Sequence, residues 1–140
     1  GMNIKDLLYM RKSDIIGGEV SIVRGKTNVP IRVKLEPEAR EIMDRYKGDK
    51  LLLSIMETYG NYEDFRRRLN RALKQEFAYI SIYWARHSWA TYAAELDVPD
   101  PVIDMAMGHK LKGMSAIYIA RNMKKVTEAN RRVIDYVLKI

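Results

Sequence analysis

The chain contains no cysteine. Disulfides and thiolate metal sites are therefore excluded, and the composition is compatible with a cytoplasmic protein. Histidine is almost as scarce, with two among 140 residues, and neither a His-x-x-x-His spacing nor a cluster of carboxylates accompanies them. The expectation is a protein without a metal site and without a cofactor. No apolar run approaches the roughly 20 residues that a membrane span requires, and no charged-then-apolar leader opens the chain, so no membrane partner is expected. Internal repeats and low-complexity segments are also missing.

What remains is one domain's worth of chain. A length of 140 residues with 47% hydrophobic content suits a single domain with a real core and leaves little room for two. Basic residues outnumber acidic ones, for a formal net charge of +7. A basic domain of this size often meets a polyanion, most often nucleic acid, although a solvated basic surface has the same composition.

Taken in order, Ile4 to Met10 reads as the end of a helix with Ile4, Leu7 and Leu8 on one face. No capping residue is recognised before it, so the element begins abruptly and suggests missing sequence upstream. Gly17-Gly18 is a turn, after which Val20 and Ile22 alternate with Glu19 and Ser21, and Val29, Ile31, Val33 and Leu35 alternate with polar neighbours. The two runs predict a hairpin whose tip is Arg24-Gly25-Lys26-Thr27-Asn28, with glycine supplying the turn geometry. Pro30 marks its strand as an edge, or its missing N–H as facing solvent. Lys26 at such a tip is a solvated charge unless the hairpin leans over a bound phosphate.

Glu36-Pro37-Glu38 opens a helix to about Tyr46, with Ile42 and Tyr46 facing the core. Leu51 to Met56 is apolar and buried however it folds. Asn61 is a candidate N-cap for a helix to about Phe77, with Phe65, Leu69, Ala72 and Leu73 as its apolar stripe. Arg66, Arg67, Arg68, Arg71 and Lys74 crowd its other faces with little acid to balance them, which suits either a solvated face or backbone-phosphate contacts. Tyr83 to Leu96 is a further helix with Ala85, Trp89, Ala93 and Leu96 inward.

The densest concentration of possible phosphate chemistry follows. Gly108 can end the short helix from Pro101 to Met107, so His109 emerges where that helix stops. A polar turn at 110–113 leads into a second helical run, Met114 to Met123, which bears Tyr118. Single histidines and tyrosines are most often structural, and the pair gains meaning only with Tyr83-Trp84-Ala85-Arg86-His87 upstream. Val126, Ala129, Val133, Val137 and Ile140 form a stripe on a C-terminal helix that either closes the domain's own core or docks on a neighbouring subunit.

Together these pieces resemble the catalytic domain of the tyrosine recombinases, or phage integrases. The motifs are Ala-Arg-His-Ser-Trp-Ala-Thr at 85–91, Met-Gly-His at 107–109, Ile-Tyr at 117–118, the hairpin with Lys26-Thr27, and the opening Ile-Lys-Asp-Leu-Leu-Tyr-Met-x-Lys-Ser-Asp-Ile. The likeness is closest to integrases of Bacteroidetes phages and mobile elements. It implies an α+β, mainly α, catalytic-domain fold with a small antiparallel sheet, in which residues 1–140 are the C-terminal domain, truncated at its N-terminal side and lacking the family's N-terminal DNA-binding domain. It also implies double-stranded DNA as partner and a tetramer of recombinase subunits on that DNA, with a monomer expected for the free chain.

The resemblance assigns roles residue by residue. Tyr118 would be the nucleophile, Arg86 and His109 would contact the scissile phosphate, and Lys26 would protonate the leaving 5′-oxygen. Arg67, Arg71 and Lys74 would bind the DNA backbone, and His87 would pack. The family's His-x-x-Arg is Tyr83-x-x-Arg86 here, a phenol in place of an imidazole. The family's first arginine, three residues before Asp6, would fall on Asn3 or, if carried slightly earlier, before residue 1 and outside this chain. Arg24, two residues before Lys26, is either its substitute among the DNA contacts or an exposed hairpin charge. An inactive DNA-binding or assembly module, a decayed integrase or fragment, is the alternative function.

Overall fold

The structure is a computed structural model, which describes residues 1–109 and 116–139, without the side chains of residues 116–121. Its elements are α1 (Ile4–Leu8), β1 (Ile15–Ile16), β2 (Glu19–Val23), β3 (Pro30–Lys34), α2 (Pro37–Arg45), α3 (Ile55–Tyr59), α4 (Tyr62–Glu76), α5 (Trp84–Glu95), α6 (Asp100–Ala106) and α7 (Ala116–Leu138). The chain is mostly helical with one small antiparallel sheet, compatible with an α+β integrase domain.

α1 does have a cap. Asn3 is extended and its side-chain oxygen accepts from the Lys5 N–H at 2.9 Å, so the abrupt start expected from sequence is incorrect. The sheet has the order β1-β2-β3, which leaves β3, with Pro30 at its start, on an edge. Val20 pairs with Val33 and Ile22 with Ile31, so these four side chains share the inner face, while Arg32 and Glu19 bond at 2.5 Å on the outer one. At the hairpin tip the left-handed residue is Asn28 (φ +56°) and not Gly25, a conformation that asparagine tolerates better than most side chains.

Three apolar clusters hold the elements together. One joins Ala93 of α5, Val102, Met105 and Ala106 of α6, and Val126, Ala129 and Val133 of α7. A second joins Leu8, Met56, Tyr62, Phe65 and Ile82, and a third joins Met10, Val20 and Leu52 beneath the sheet. On α2, Met43 faces the core and Ile42 and Tyr46 are exposed, because the inward direction is about 100° from where the sequence placed it. Ala72 and Ala85 also face solvent. α7 is one helix of 23 residues, where the sequence suggested two. Its described part folds back on its own domain, with Arg131 bound to Glu38 at 2.9 Å, to Asp135 at 2.5 Å and to buried Glu36 at 3.4 Å. Val137 is exposed, and Ile140 lies outside the described residues.

Glu57 closes the connection between α2 and α3, accepting from the backbone N–H groups of Asp49, Lys50 and Leu51 at 2.7, 2.6 and 2.7 Å. The Leu51 and Asp49 donors in particular hold its carboxyl below the usual range. A depressed folded value gives stability that is present above the unfolded carboxyl value and lost as pH falls through the folded one. Glu57→Gln is expected to lower the urea midpoint at neutral pH, and the difference from the parent chain should shrink as the medium is acidified. Denaturation series across the acid range check this.

Candidate active site

The turn after α6 determines what the site looks like. Gly108 is left-handed (φ +64°), its N–H donates to the Met105 carbonyl at 2.8 Å, and the His109 N–H donates to the Asp104 carbonyl at 2.9 Å. These are the two bonds of a Schellman closure, which ends the helix and leaves the Met107 and Gly108 carbonyls aimed away from it. Both oxygens are taken by arginines. Arg24, the first residue after β2, donates from Nη1 to Met107 O at 2.5 Å and to Gly108 O at 2.9 Å, and from Nε to the Asp6 carboxylate at 3.2 Å. Arg86, on the first turn of α5, donates from Nη2 to the same Met107 oxygen at 2.5 Å and from Nη1 to the Gly1 carbonyl. The Thr27 hydroxyl donates to Gly108 O at 3.0 Å and ties the hairpin tip to the turn.

Two guanidiniums from elements 62 positions apart in sequence thus meet on one oxygen. Arg24 is only 4% exposed, so it is not a solvated hairpin charge. Burial, and then the neighbouring charge of Arg24, push the Arg86 guanidinium below its ordinary value, while Asp6 acts in the opposite direction. Counting Arg24, Arg86 and Asp6, the cluster is cationic, and partial burial strengthens its field.

Around this pair the other residues of interest are distributed as follows. His109 is exposed at the end of the turn, with its ring Nδ1 2.8 Å from Asp104 Oδ1. Lys26 is exposed on the tip beside Thr27. Tyr83 directly precedes α5 and is 38% exposed. The Ile82 N–H bonds to Asn70 Oδ1 at 3.0 Å, which anchors this approach to α5 on α4. Beside Tyr83, Tyr62 is pushed up to about 12, by burial first and by the Tyr83 phenol second. His87 is exposed. Tyr118 lies on α7 by its backbone, and its side chain falls outside the described residues.

On α4 the sequence reading needs correction. Arg66 pairs with Glu63 at 2.7 Å, and Arg67 and Arg68 pair with Asp64 at 2.6 and 2.8 Å. The acids sit three and four residues upstream, where a helix brings side chains together, so this face is more nearly balanced than the run of arginines suggests. Arg71 and Lys74 are exposed one turn further on and make no ion pair among the described residues.

Residues 1–125 match the phage integrase family. The chain belongs to that family. Membership places it among the tyrosine recombinases, whose work is site-specific DNA recombination and whose members generally bind DNA. Searches of curated proteins and of solved structures gave no match. Among the described residues, no helix of this integrase-family chain is long and apolar enough to cross a membrane.

Sequence reasoning missed Asp104 and the pairing of Asp6 with Arg24. Asp104 was findable, because an acid four residues before a helix-ending glycine and five before the histidine is brought beside that histidine by a Schellman closure. The Asp6 contact spans 18 residues and depends on tertiary packing.

Gly108 is required twice over. Its left-handed backbone costs a residue with a Cβ about 1–2 kcal/mol, and a Cβ there would lie 2.2 Å from Arg24 Cδ. Gly108→Ala is therefore expected to lose more stability than the backbone cost alone and to displace Arg24. Urea denaturation, with arginine Nε–H resonances followed by NMR, measures both effects.

Proposed function

We propose that this site cleaves and rejoins DNA strands in the integration or excision of a mobile element. The Tyr118 oxygen attacks the scissile phosphorus as its proton passes to solvent, the bond from phosphorus to the 5′-oxygen breaks, and a 3′-phosphotyrosine forms. Lys26 supplies the proton that the leaving 5′-oxygen takes up. Attack by a 5′-hydroxyl reverses the step on another strand, so the energy of the broken bond is conserved in the enzyme-DNA link. Arg86 faces the charge that develops on the non-bridging oxygens, its planar fork matching them in a way that lysine's point charge does not. Its donors rest on the Gly1 and Met107 carbonyls in this structure, oxygens that a phosphate would replace. His109 contacts the same phosphate, and Tyr83 offers a phenolic hydrogen bond. The convergence of Arg24 and Arg86 on the Met107 carbonyl, two residues before His109, is the observation that most supports this reading.

Arg24 stands in for the family's first arginine by charge, reaching the site from the hairpin while Asn3 caps α1. Arg71 and Lys74, with Arg67 where its pairing with Asp64 yields, hold the DNA backbone, so affinity falls steeply with salt. Subunits assemble as a tetramer on DNA, and the chain alone is a monomer in dilute solution. One observation favours an inactive DNA-binding module instead: the first-arginine position is Asn3, and its side chain serves as a helix cap.

Covalent capture separates the two. Incubated with radiolabelled nicked duplexes of randomised sequence, the full-length parent protein is expected to form a detergent-resistant adduct that peptide mapping places on Tyr118, with little or none from these 140 residues alone. Tyr118→Phe should abolish it with DNA binding unchanged, and Arg86→Ala should lower it by about 10²- to 10³-fold, the loss typical of a preorganised transition-state donor. DNA binding with no adduct from the full-length parent would establish the inactive module. An adduct that survives Tyr118→Phe would refute the assignment of the nucleophile.

A further inference from the structure

We infer that Asp104 is a positioning residue for His109, holding the imidazole by Nδ1 so that Nε2 is the nitrogen presented to a ligand. In a Schellman closure the residue after the left-handed glycine is brought against the residue five positions earlier, and that contact is usually apolar. Here those two residues are His109 and Asp104. They are joined by the main-chain bond of 2.9 Å and by a side-chain contact of 2.8 Å from Nδ1 to Oδ1. An exposed ion pair is ordinarily weak because two mobile side chains must be ordered together. At 53% and 49% side-chain exposure this pair is solvated, but the closure has already fixed both Cα positions, and only a few side-chain torsions remain to be ordered.

The chemistry follows from donor and acceptor roles. An ionised carboxylate only accepts, so Nδ1 must be the protonated nitrogen of a neutral ring facing it. Nε2 then bears the lone pair. It can take a proton from an attacking hydroxyl or, once protonated, donate to a phosphate oxygen, and in either state the charge acquired by the ring faces the Asp104 carboxylate. His109 follows directly on the Met107 and Gly108 carbonyls, of which Arg24 binds both and Arg86 the first.

What His109 touches rests on the recombinase reading, whereas the tether itself does not. The chain has two histidines, so a His87→Gln background isolates His109 in long-range proton–nitrogen spectra of the imidazole. With the ring neutral, Nδ1 is expected to show the protonated-type nitrogen shift and Nε2 the unprotonated type. Asp104→Ala should shift the balance toward the Nε2–H form with the backbone amide spectrum otherwise preserved, and Asp104→Asn, which keeps an acceptor oxygen, should restore much of the original pattern. An Nε2–H ring in the parent, or a tautomer indifferent to Asp104→Ala, overturns the inference. In covalent capture by the full-length parent at saturating DNA, Asp104→Ala should form adduct at least about 10-fold more slowly with unchanged DNA affinity. A tautomer change with an unaffected adduct rate overturns the positioning role. A tautomer change with no adduct from the full-length parent upholds the tether and refutes the recombinase reading it serves.

Discussion

Arg24 is a cation held almost wholly out of water, and much of the site's architecture is the arrangement that compensates it. Removing a charge from solvent costs several kcal/mol after relaxation, and only good geometry returns that cost. Here the geometry comes from three acceptors in two places: the carboxylate of Asp6 on α1, and the carbonyls of Met107 and Gly108 in the turn after α6. The packing beneath them is divided in the same way. α1 and β2 belong to the clusters around Leu8 and Val20, whereas α6 belongs to the cluster around Ala93 and Val126, which Val33 of β3 also reaches. The guanidinium is therefore a joint between the two halves of the chain. Its neighbour Arg86 reaches the same Met107 oxygen from α5, so the joint and the candidate phosphate site coincide.

The sequence was most legible where local rules decide the outcome. Asn61 caps α4 through the N–H groups of Glu63 and Asp64, Pro37 and Glu38 start α2, and Gly108 ends α6. Each is a contact within a few residues, so spacing alone suffices to find it. Legibility failed where direction mattered. Ile42 and Met43 are adjacent on α2, and which one faces the core is set by where the sheet lies, not by the periodicity of so short a helix. The arginines of α4 looked unbalanced because charge was read along the chain, whereas a helix pairs Glu63 and Asp64 with residues three and four positions on. Arg24 was read as one of two things, a substitute cation or an exposed tip, and its burial could not be seen without the partners that α1 and α6 bring to it.

The C-terminal helix illustrates the same distinction between pattern and partner. The stripe of Val126, Ala129 and Val133 was visible, but a stripe does not say which surface covers it. In the structure α7 packs on α5, α6 and β3 of its own chain. Polar contacts then fix its azimuth: Arg131 is held by Glu38, Asp135 and Glu36, and Asn130 accepts from the Trp89 indole at 3.2 Å. Glu38 holds the first turn of α2 against α7, and the hydrogen bond from Arg131 keeps its carboxyl below the usual range. These contacts join the last helix to the element that follows the hairpin, so the sheet is clamped from both ends: by Arg24 at its tip and by Arg131 beyond its base.

On the proposed reading Arg86, backed by the charge of Arg24, and His109 receive the DNA phosphate, and not the α4 surface alone. Titration of a short duplex into the labelled chain, followed through arginine Nε–H and histidine side-chain resonances, tests this directly. Saturable shifts are expected at Arg86 and His109, with Arg24 responding through the Met107 carbonyl that it shares with Arg86. Shifts confined to Arg71 and the other arginines of α4, with Arg24, Arg86 and His109 unmoved at saturation, would contradict it.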